Sequence, residues 1–338
     1  MGLVGNIQIV GDKLMRTLRE DPKFDRFNRS YDSKIKNVNG VEFPKVVSIP
    51  KLLNTNSVTD VTAPPAMNAN AGTAQNTSEV YAVVRKIGTL PKRISNFDTK
   101  VNNIDLLAAE LVDHAEQLKQ RMIRDIYRTM IGGRNSDGAI LCYDPAAPAV
   151  PICVPAANMI AWAGAAGVLG NTDFVNMLAM LDLVPVPMEN RHMAYWPQEF
   201  GDIVTDTVLN SWLAYSGRSY ASGQNSDNIY GFTMEKSTEL PYVSTSGLSP
   251  APDGATAAFF NPTPEAGGPG VGIEAQRCAL GWHQDSVVFG LGENIEFAIT
   301  DKNTRPDLYG DAIVTAWTHY FVAIARPQGI ALSYDNAA

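Results

Sequence analysis

The sequence is poor in the residues that usually carry chemistry. In 338 residues it holds three cysteines, Cys142, Cys153 and Cys278, and four histidines. Three widely spaced cysteines make no disulfide framework and read as reduced, mostly buried thiols. None of His114, His192, His283 and His319 has another histidine, cysteine or carboxylate at the spacing of a metal site. His114 falls near the edge of an apolar helical stripe, where packing or surface placement is the ordinary role. Ser211 and Ser286 lack the setting of an activated nucleophile. The glycine run at 267–272 (GGPGVG) lacks the lysine and hydroxyl residue of a phosphate loop and reads as a surface turn. Asp202 and Asp206 share one helical face, as many solvated carboxylate pairs do. No nucleophile, base and oxyanion donor come together. The sequence therefore points to no catalytic residue, no metal and no cofactor, and a soluble enzyme is a weak alternative.

Long apolar runs are also missing. No stretch approaches about 18 apolar residues free of charges and breakers, and no basic lead precedes an apolar run at the N-terminus. Neither a membrane span nor a secretion signal is expected, and cytoplasmic synthesis is the default. Each part of the chain is short of one sign of charge. Residues 1–134 hold 20 Lys and Arg against 14 Asp and Glu, and the remaining 204 hold 7 against 21, within a net charge of -8. Two electrically unlike parts suggest surfaces that attract between copies. A nucleic-acid reader would concentrate more positive charge.

What the sequence does contain begins with one long helix. From Asn103 to Met130 there is no glycine or proline, in a chain with 27 glycines and 21 prolines. Apolar residues at Ile104, Leu107, Leu111, Ala115, Leu118, Met122, Ile126 and Met130 mark a single face. Acids gather toward its start and bases toward its end, an order that complements the helix dipole. Asn103 is the expected cap and Gly132-Gly133 the stop. At 1.5 Å per residue the element spans roughly 40 Å.

Ahead of it lie a charged segment with a short amphipathic helix at 6–19, then two β-rich stretches, 41–57 and 80–98. The intervening segment is threonine-rich and almost uncharged, so the two read as arms of an extended hairpin. Pro44, Pro50 and Pro91 make it an exposed two-stranded feature rather than a sheet centre. Arg85, Lys86, Lys92 and Arg93 stand close together in its second arm. They are expected to meet acidic surface on a neighbouring copy, against the plainer reading of a solvated charged strand. Past the long helix, 156–170 and 171–184 read as two helices, the second capped at Asn171 or Thr172. RHMAYW (191–196) reads as a strand, and PQEFGDIVTD (197–206) as a helix opened by proline. NIYGFTMEKSTELP (228–241) is a strand pair around a turn. Residues 246–272 form a loop. From Arg277 the chain is β-rich, and 312–334 reads as two strands about the turn Arg326-Pro327-Gln328-Gly329.

The order of these parts resembles the major capsid (major head) protein of tailed double-stranded-DNA bacteriophages. RHMAYWPQEFGDIVTD is similar to that family's strand and proline-started helix, NIYGFTMEKSTELP to the strand pair after it, and HQDSVVFGLGENIEF to the return of the chain to its peripheral sheet. AIVTAWTHYFVAIARPQGIALSYD is similar to its closing hairpin. The resemblance implies an α+β fold with an N-terminal arm (1–40), an extended β-hairpin loop (41–98), a spine helix (103–131) in a peripheral domain (99–138 and 277–338), and an axial domain (139–245). The 246–276 insertion has no assigned place. It implies a structural protein that self-assembles, as hexamers and pentamers of itself, into an icosahedral head around double-stranded DNA contacted without sequence preference. It further implies a separate scaffolding protein, a portal protein at one vertex, a decoration protein as a further partner, and no membrane. Lys23, Arg26 and Arg29 of the arm interleave with acids such as Asp21 and Asp25, so they are expected to meet protein before DNA. An encapsulin-like bacterial compartment shell, which shares the architecture, is the nearest alternative.

Overall fold

The protein is described by a computed structural model over residues 23–30, 46–50, 79–94, 106–162, 168–184, 186–209, 229–241, 243–244, 275–292, 296–300 and 312–335. The long helix is there as α1, Leu106–Gly132. Leu111, Ala115, Leu118, Met122, Ile126 and Met130 of the expected stripe are buried, and so are Ile123, Tyr127 and Ile131. The stripe therefore widens until, from Asp125 onward, every residue of the helix is covered. Asn103 lies outside the described residues. Gly133 ends the helix with φ +67°, and a Cβ there would fall 2.4 Å from that of Pro151, so only glycine fits. The charge gradient does not reach the terminal turns, which hold no acid at the start and no base at the end. Its bases act sideways instead: Arg124 Nε donates to Glu239 at 2.8 Å, and Arg121 pairs with Asp125 and Asp137.

The expected hairpin exists at its base, where β1 (Val46–Pro50) and β2 (Glu79–Val83) pair antiparallel from Val46↔Val83 to Pro50↔Glu79. It is not an isolated ribbon there. β2 also pairs with β5 (Cys142–Asp144), which pairs with β6 (Ala147–Pro151), giving a sheet of order β1-β2-β5-β6. Alternation explains the difference: Val47, Ile49, Val80 and Ala82 all point one way and are buried in the core with Leu141 and Cys142. Pro50 ends β1, where it costs no ladder bond, and Pro44 lies outside the described residues.

A second sheet is built on β15 (Ala312–Ile324). Along one edge it pairs β13 (Val287–Leu291) and β14 (Glu296–Thr300). Along the other it pairs β3 (Arg85–Gly88) and β4 (Lys92–Ile94), since Tyr320 is opposite both Leu291 and Arg85. The third sheet has the order β7-β16-β12-β8-β9, formed by β7 (Met159–Ala161), β16 (Ile330–Tyr334), β12 (Cys278–His283), β8 (Arg191–Tyr195) and β9 (Phe232–Lys236). A two-stranded pair joins β10 (Val243–Ser244) to β11 (Ala275–Gln276).

Four local expectations are corrected. Residues 156–162 are not helical: a 3₁₀ turn, Ala156–Asn158, leads into β7, which adds to β16 in parallel. The Asn158 amide holds it there by donating to the Gln328 and Ile330 carbonyls at 2.9 and 2.8 Å. The second helix, α2 (Asn171–Leu183), is capped at Gly170, one residue early, because the Asp173 carboxylate accepts from Gly170 N and that of Asp206 from Asn171 N. The third helix, α3 (Glu199–Thr205), begins after Gln198, so Pro197 precedes it. Finally, β15 and β16 do not form a closing hairpin. Each pairs with half of 278–291: β12 with β16, ending at Trp282↔Ile330, and β13 with β15, beginning at Val287↔Ile324. Two 3₁₀ turns, Gln284–Ser286 and Pro327–Gly329, make the corner, and the Ser286 carbonyl accepts from Ala325 N at 3.0 Å. The result is one antiparallel ribbon bent from the third sheet into the second.

The third sheet separates two cores. Ala194, Cys278, Leu280, Trp282, Ile330 and Leu332 face α1 and the first core, whereas Met193, Tyr195, Ala279, Ala331 and Phe232 face α2 and α3. Leu141, Cys142 and Val154 pack in the first of these.

Candidate assembly surface

The four bases singled out in the sequence are brought together on β3 and β4, along the edge of the β15 sheet rather than on the β1–β2 ribbon. Lys86, Lys92 and Arg93 are exposed and Arg85 is half-buried. Lys86 Nζ lies 4.8 Å from the Trp317 ring centroid, a cation–π contact. Lys92 Nζ is 2.6 Å from Glu110 of α1, and the hydrogen bond to that carboxylate holds its pKa above the ordinary lysine value. Between the strands, Thr89 is fixed to β15. Its N–H donates to the Ala316 carbonyl at 2.8 Å, its hydroxyl accepts from Ala316 N at 3.0 Å, and its carbonyl accepts from the Thr315 hydroxyl at 3.0 Å. This holds Leu90 out from the surface, 86% exposed.

Residues 23–30 are pinned to the bent ribbon. Phe24 stacks on Phe289 with ring centroids 4.9 Å apart, and Phe27 on Trp282 at 5.5 Å. Trp282 Nε1 donates to the Arg26 carbonyl at 3.1 Å, and Asn28 bonds to β13 through Asn28 N to Val287 O and Phe289 N to Asn28 O. The Arg26 guanidinium pairs with Glu235 of β9, which also accepts from the Tyr127 hydroxyl at 3.3 Å, and Lys23 stands 3.9 Å away. Burial and then Glu235 raise the Tyr127 pKa well above its ordinary value. His192, beside Trp282, is pushed down to about 4 by burial, with Arg26 and His283 adding to the effect. Lys23 and Arg26 thus meet protein, and they join the basic part of the chain to the acidic part within one subunit. Phe24, Phe27 and Glu235 escaped the sequence reading. The two phenylalanines, set three apart in a charged segment, were the available signal.

Two further carboxylates are held beside the second core. Glu199 is fully buried with its Oε1 2.7 Å from Arg277, which also stands 3.6 Å from Asp335. Burial pushes Glu199 up to about 8, with Arg277 opposing and Asp202 reinforcing. Burial acts to raise Asp206 as well, but backbone N–H groups of Leu209, Asn171 and Val208 outweigh it and hold the pKa below the ordinary carboxylate value. Both arrangements lock local structure; neither places a nucleophile beside a base. Among the described residues no group of three His, Cys, Asp or Glu is positioned for a metal ion, and none of their helices is long and apolar enough to cross a membrane. Cys142, Cys153 and Cys278 form no disulfide, and the first and last are buried.

No family model and no curated protein matches the chain. Solved structures do. The cyanophage Pam1 capsid asymmetric unit is similar with a TM-score of 0.57 at 14% identity, over 92% of this chain and 88% of that one. The acidic stable capsid of Helicobacter pylori bacteriophage KHP30 is similar with a TM-score of 0.57 at 9% identity, over 94% and 91%. The capsid of cyanophage P-SCSP1u reaches 0.55 at 17% identity, over 92% and 90%. The fold is that of phage capsid proteins. The similarity covers nearly the whole chain, as the order of parts in the sequence implied, at identities of 9–17%. It is an α+β fold.

Proposed function

We propose that this chain is a major capsid protein that self-assembles, as hexamers and pentamers, into an icosahedral head enclosing phage double-stranded DNA. The observation that carries this reading is the similarity to phage capsid structures over nine-tenths of both chains. The physical features support it. α1 is a stiff beam covered by sheet along its second half, and β1 and β2 pair on either side of 51–78, a segment whose sequence has little to bury by itself. In this reading residues 1–40 are the arm, tied down by Phe24 and Phe27; 41–98 contain the extended loop; α1 is the spine; the β15 sheet is peripheral; and the third sheet with α2 and α3 is axial. The bases Arg85, Lys86, Lys92 and Arg93 are contacts to a neighbouring subunit. A separate scaffolding protein, a portal protein at one vertex and a decoration protein are the further partners. DNA is contacted without sequence preference, as the negative net charge of -8 suits an interior that does not grip its contents. The protein resides in the virion and turns over no substrate. Sedimentation of the purified chain, alone and with a scaffolding partner, tests this: large closed particles are expected, and a chain that stays monomeric or dimeric throughout is not a capsid protein.

A further inference from the structure

The most exposed large apolar side chains among the described residues are Leu183, Leu90 and Met188, at 87%, 86% and 72%. They make two patches of opposite electrical character. Leu90 stands in the bulge between β3 and β4, which follow one another along the same edge of β15, held out by the bonds that fix Thr89, with Pro91 beside it and the exposed bases Lys86, Lys92 and Arg93 close to it in the chain. Leu183 and Met188 lie at the C-terminal end of α2. There the buried Arg191 gathers the chain: Nε donates to the Pro187 carbonyl at 3.0 Å, Nη2 to the Val186 carbonyl at 3.0 Å, and Nη1 pairs with Asp182 at 2.7 Å. One guanidinium fixes both sides of the turn, and the two apolar residues flank what it fixes. Asp182, already paired with Arg191, and the exposed Glu189 stand next to them in the chain, and Glu189 gives this patch its negative charge.

We propose that Leu90 of one copy seats against Leu183 and Met188 of the next, with Lys86 and Arg93 facing Glu189. This rests on the self-assembly reading and names the surfaces that reading leaves open. The two patches cannot meet within one chain. Thr89 is bonded to Ala316, in the body of β15, whereas the Arg191 turn is tied to the far corner, where Gln284 N donates to Asn190 O and Ser286 O accepts from Ala325 N. The strand from Ala316 to Ala325 runs about 30 Å at roughly 3.3 Å per residue. Because the patches are different surfaces, the contact is head-to-tail, and such contacts close into rings or extend. Apolar contact supplies the burial, and the unlike charges around it steer the approach and reject the reverse pairing. Both sides are held rigid before they meet, so little ordering is lost on contact.

The test is a double variant, Leu90→Cys with Met188→Cys, assembled and then oxidised, with each single variant as control. Cys142 and Cys278 are buried and do not compete. Particles whose chains run as a covalent ladder on a non-reducing gel, absent from both single variants, bear out the contact, since a disulfide forms only between Cα atoms within about 7 Å. Particles that form but yield no ladder overturn it and leave the self-assembly reading standing. A native chain that forms no particles at all overturns both. Charge reversal gives a second readout that survives poor assembly of the cysteine pair. Lys86→Glu and Glu189→Lys should each cut particle yield at least tenfold at low salt, and together restore it. Two losses without mutual rescue overturn the pairing. Lys92 is unsuited to this swap because it already pairs with Glu110.

Discussion

Tyr320 donates its phenol hydrogen to Asp125 across 2.5 Å, and this bond ties the fully covered half of α1 to the long strand β15. Asp125 is entirely buried and also accepts from Ser136 N at 2.8 Å, Ser136 Oγ at 2.6 Å and Arg121 Nε at 3.1 Å. Burial and then Asp125 keep the Tyr320 pKa well above its ordinary value, so the phenol remains a donor at any working pH. One carboxylate thereby joins the helix, the turn after it and the sheet. In the capsid reading proposed above, α1 is the spine and this junction keeps it stiff.

Tyr320→Phe should lower the stability of the unassembled chain by about 1.5–3 kcal/mol, the usual worth of a hydrogen bond to a charged group. Asp125→Ala should cost more, about 3–5 kcal/mol, because it strands Arg121, Ser136 and Tyr320 together. Denaturant titration of the isolated subunit measures both, and equal losses would show that the carboxylate is not the hub.

Phe27→Ala should remove the stack on Trp282 and lower stability by about 3–5 kcal/mol. Trp282 is fully buried, so its fluorescence should shift to the red as residues 23–30 come away. An unchanged spectrum would mean that Phe27 does not hold the segment in place.

The pH dependence has two arms. Native Glu199 keeps its proton up to about 8, against 4.5 when unfolded. Its contribution is complete below pH 4.5 and is lost as pH rises through 8. Native His192 stays neutral down to about 4, against 6.5 when unfolded, so stability is lost as pH falls through that range. The two slopes oppose between 4.5 and 6.5, and above 6.5 Glu199 acts without His192. Glu199→Gln should flatten the loss between pH 6.5 and 8, by up to about 1.4 kcal/mol per pH unit. Melting curves of the two proteins across that window should diverge; parallel curves would show Glu199 ionised throughout.

Gly329→Ala should destabilise the bent ribbon by about 1–3 kcal/mol, since a Cβ there would fall 2.0 Å from Ser286 Oγ. Ser286→Ala removes that oxygen and should recover part of the loss in the double variant. Additive losses would place the strain elsewhere.

Much of this fold was legible because period and punctuation are local. The stripe from Leu111 to Met130 and the Gly132-Gly133 stop predicted α1, and the β-rich composition of 191–196 and of the chain from Arg277 predicted β8 and β12. What failed depends on distant partners. Met159-Ile160-Ala161 is a strand only because β16 offers an edge and Asn158 reaches two carbonyls of the 328–330 stretch. The Arg326–Gly329 turn was visible, but that it changes sheets depends on Ser286, some forty residues earlier. The basic cluster was visible too. Its place on the β15 sheet, and the exposure of Leu90, required knowing that Thr89 pairs with Ala316. Arg191 looks like an ordinary strand residue until its three partners are seen.

The central claim is that this chain builds closed shells, and electron microscopy of the purified protein assembled with a scaffolding partner tests it most directly. Uniform closed particles of icosahedral outline, hundreds of ångströms across and made of this chain in rings of five and six, are the expected result. Small discrete oligomers of fixed number, or amorphous aggregate alone, under every assembly condition would contradict it.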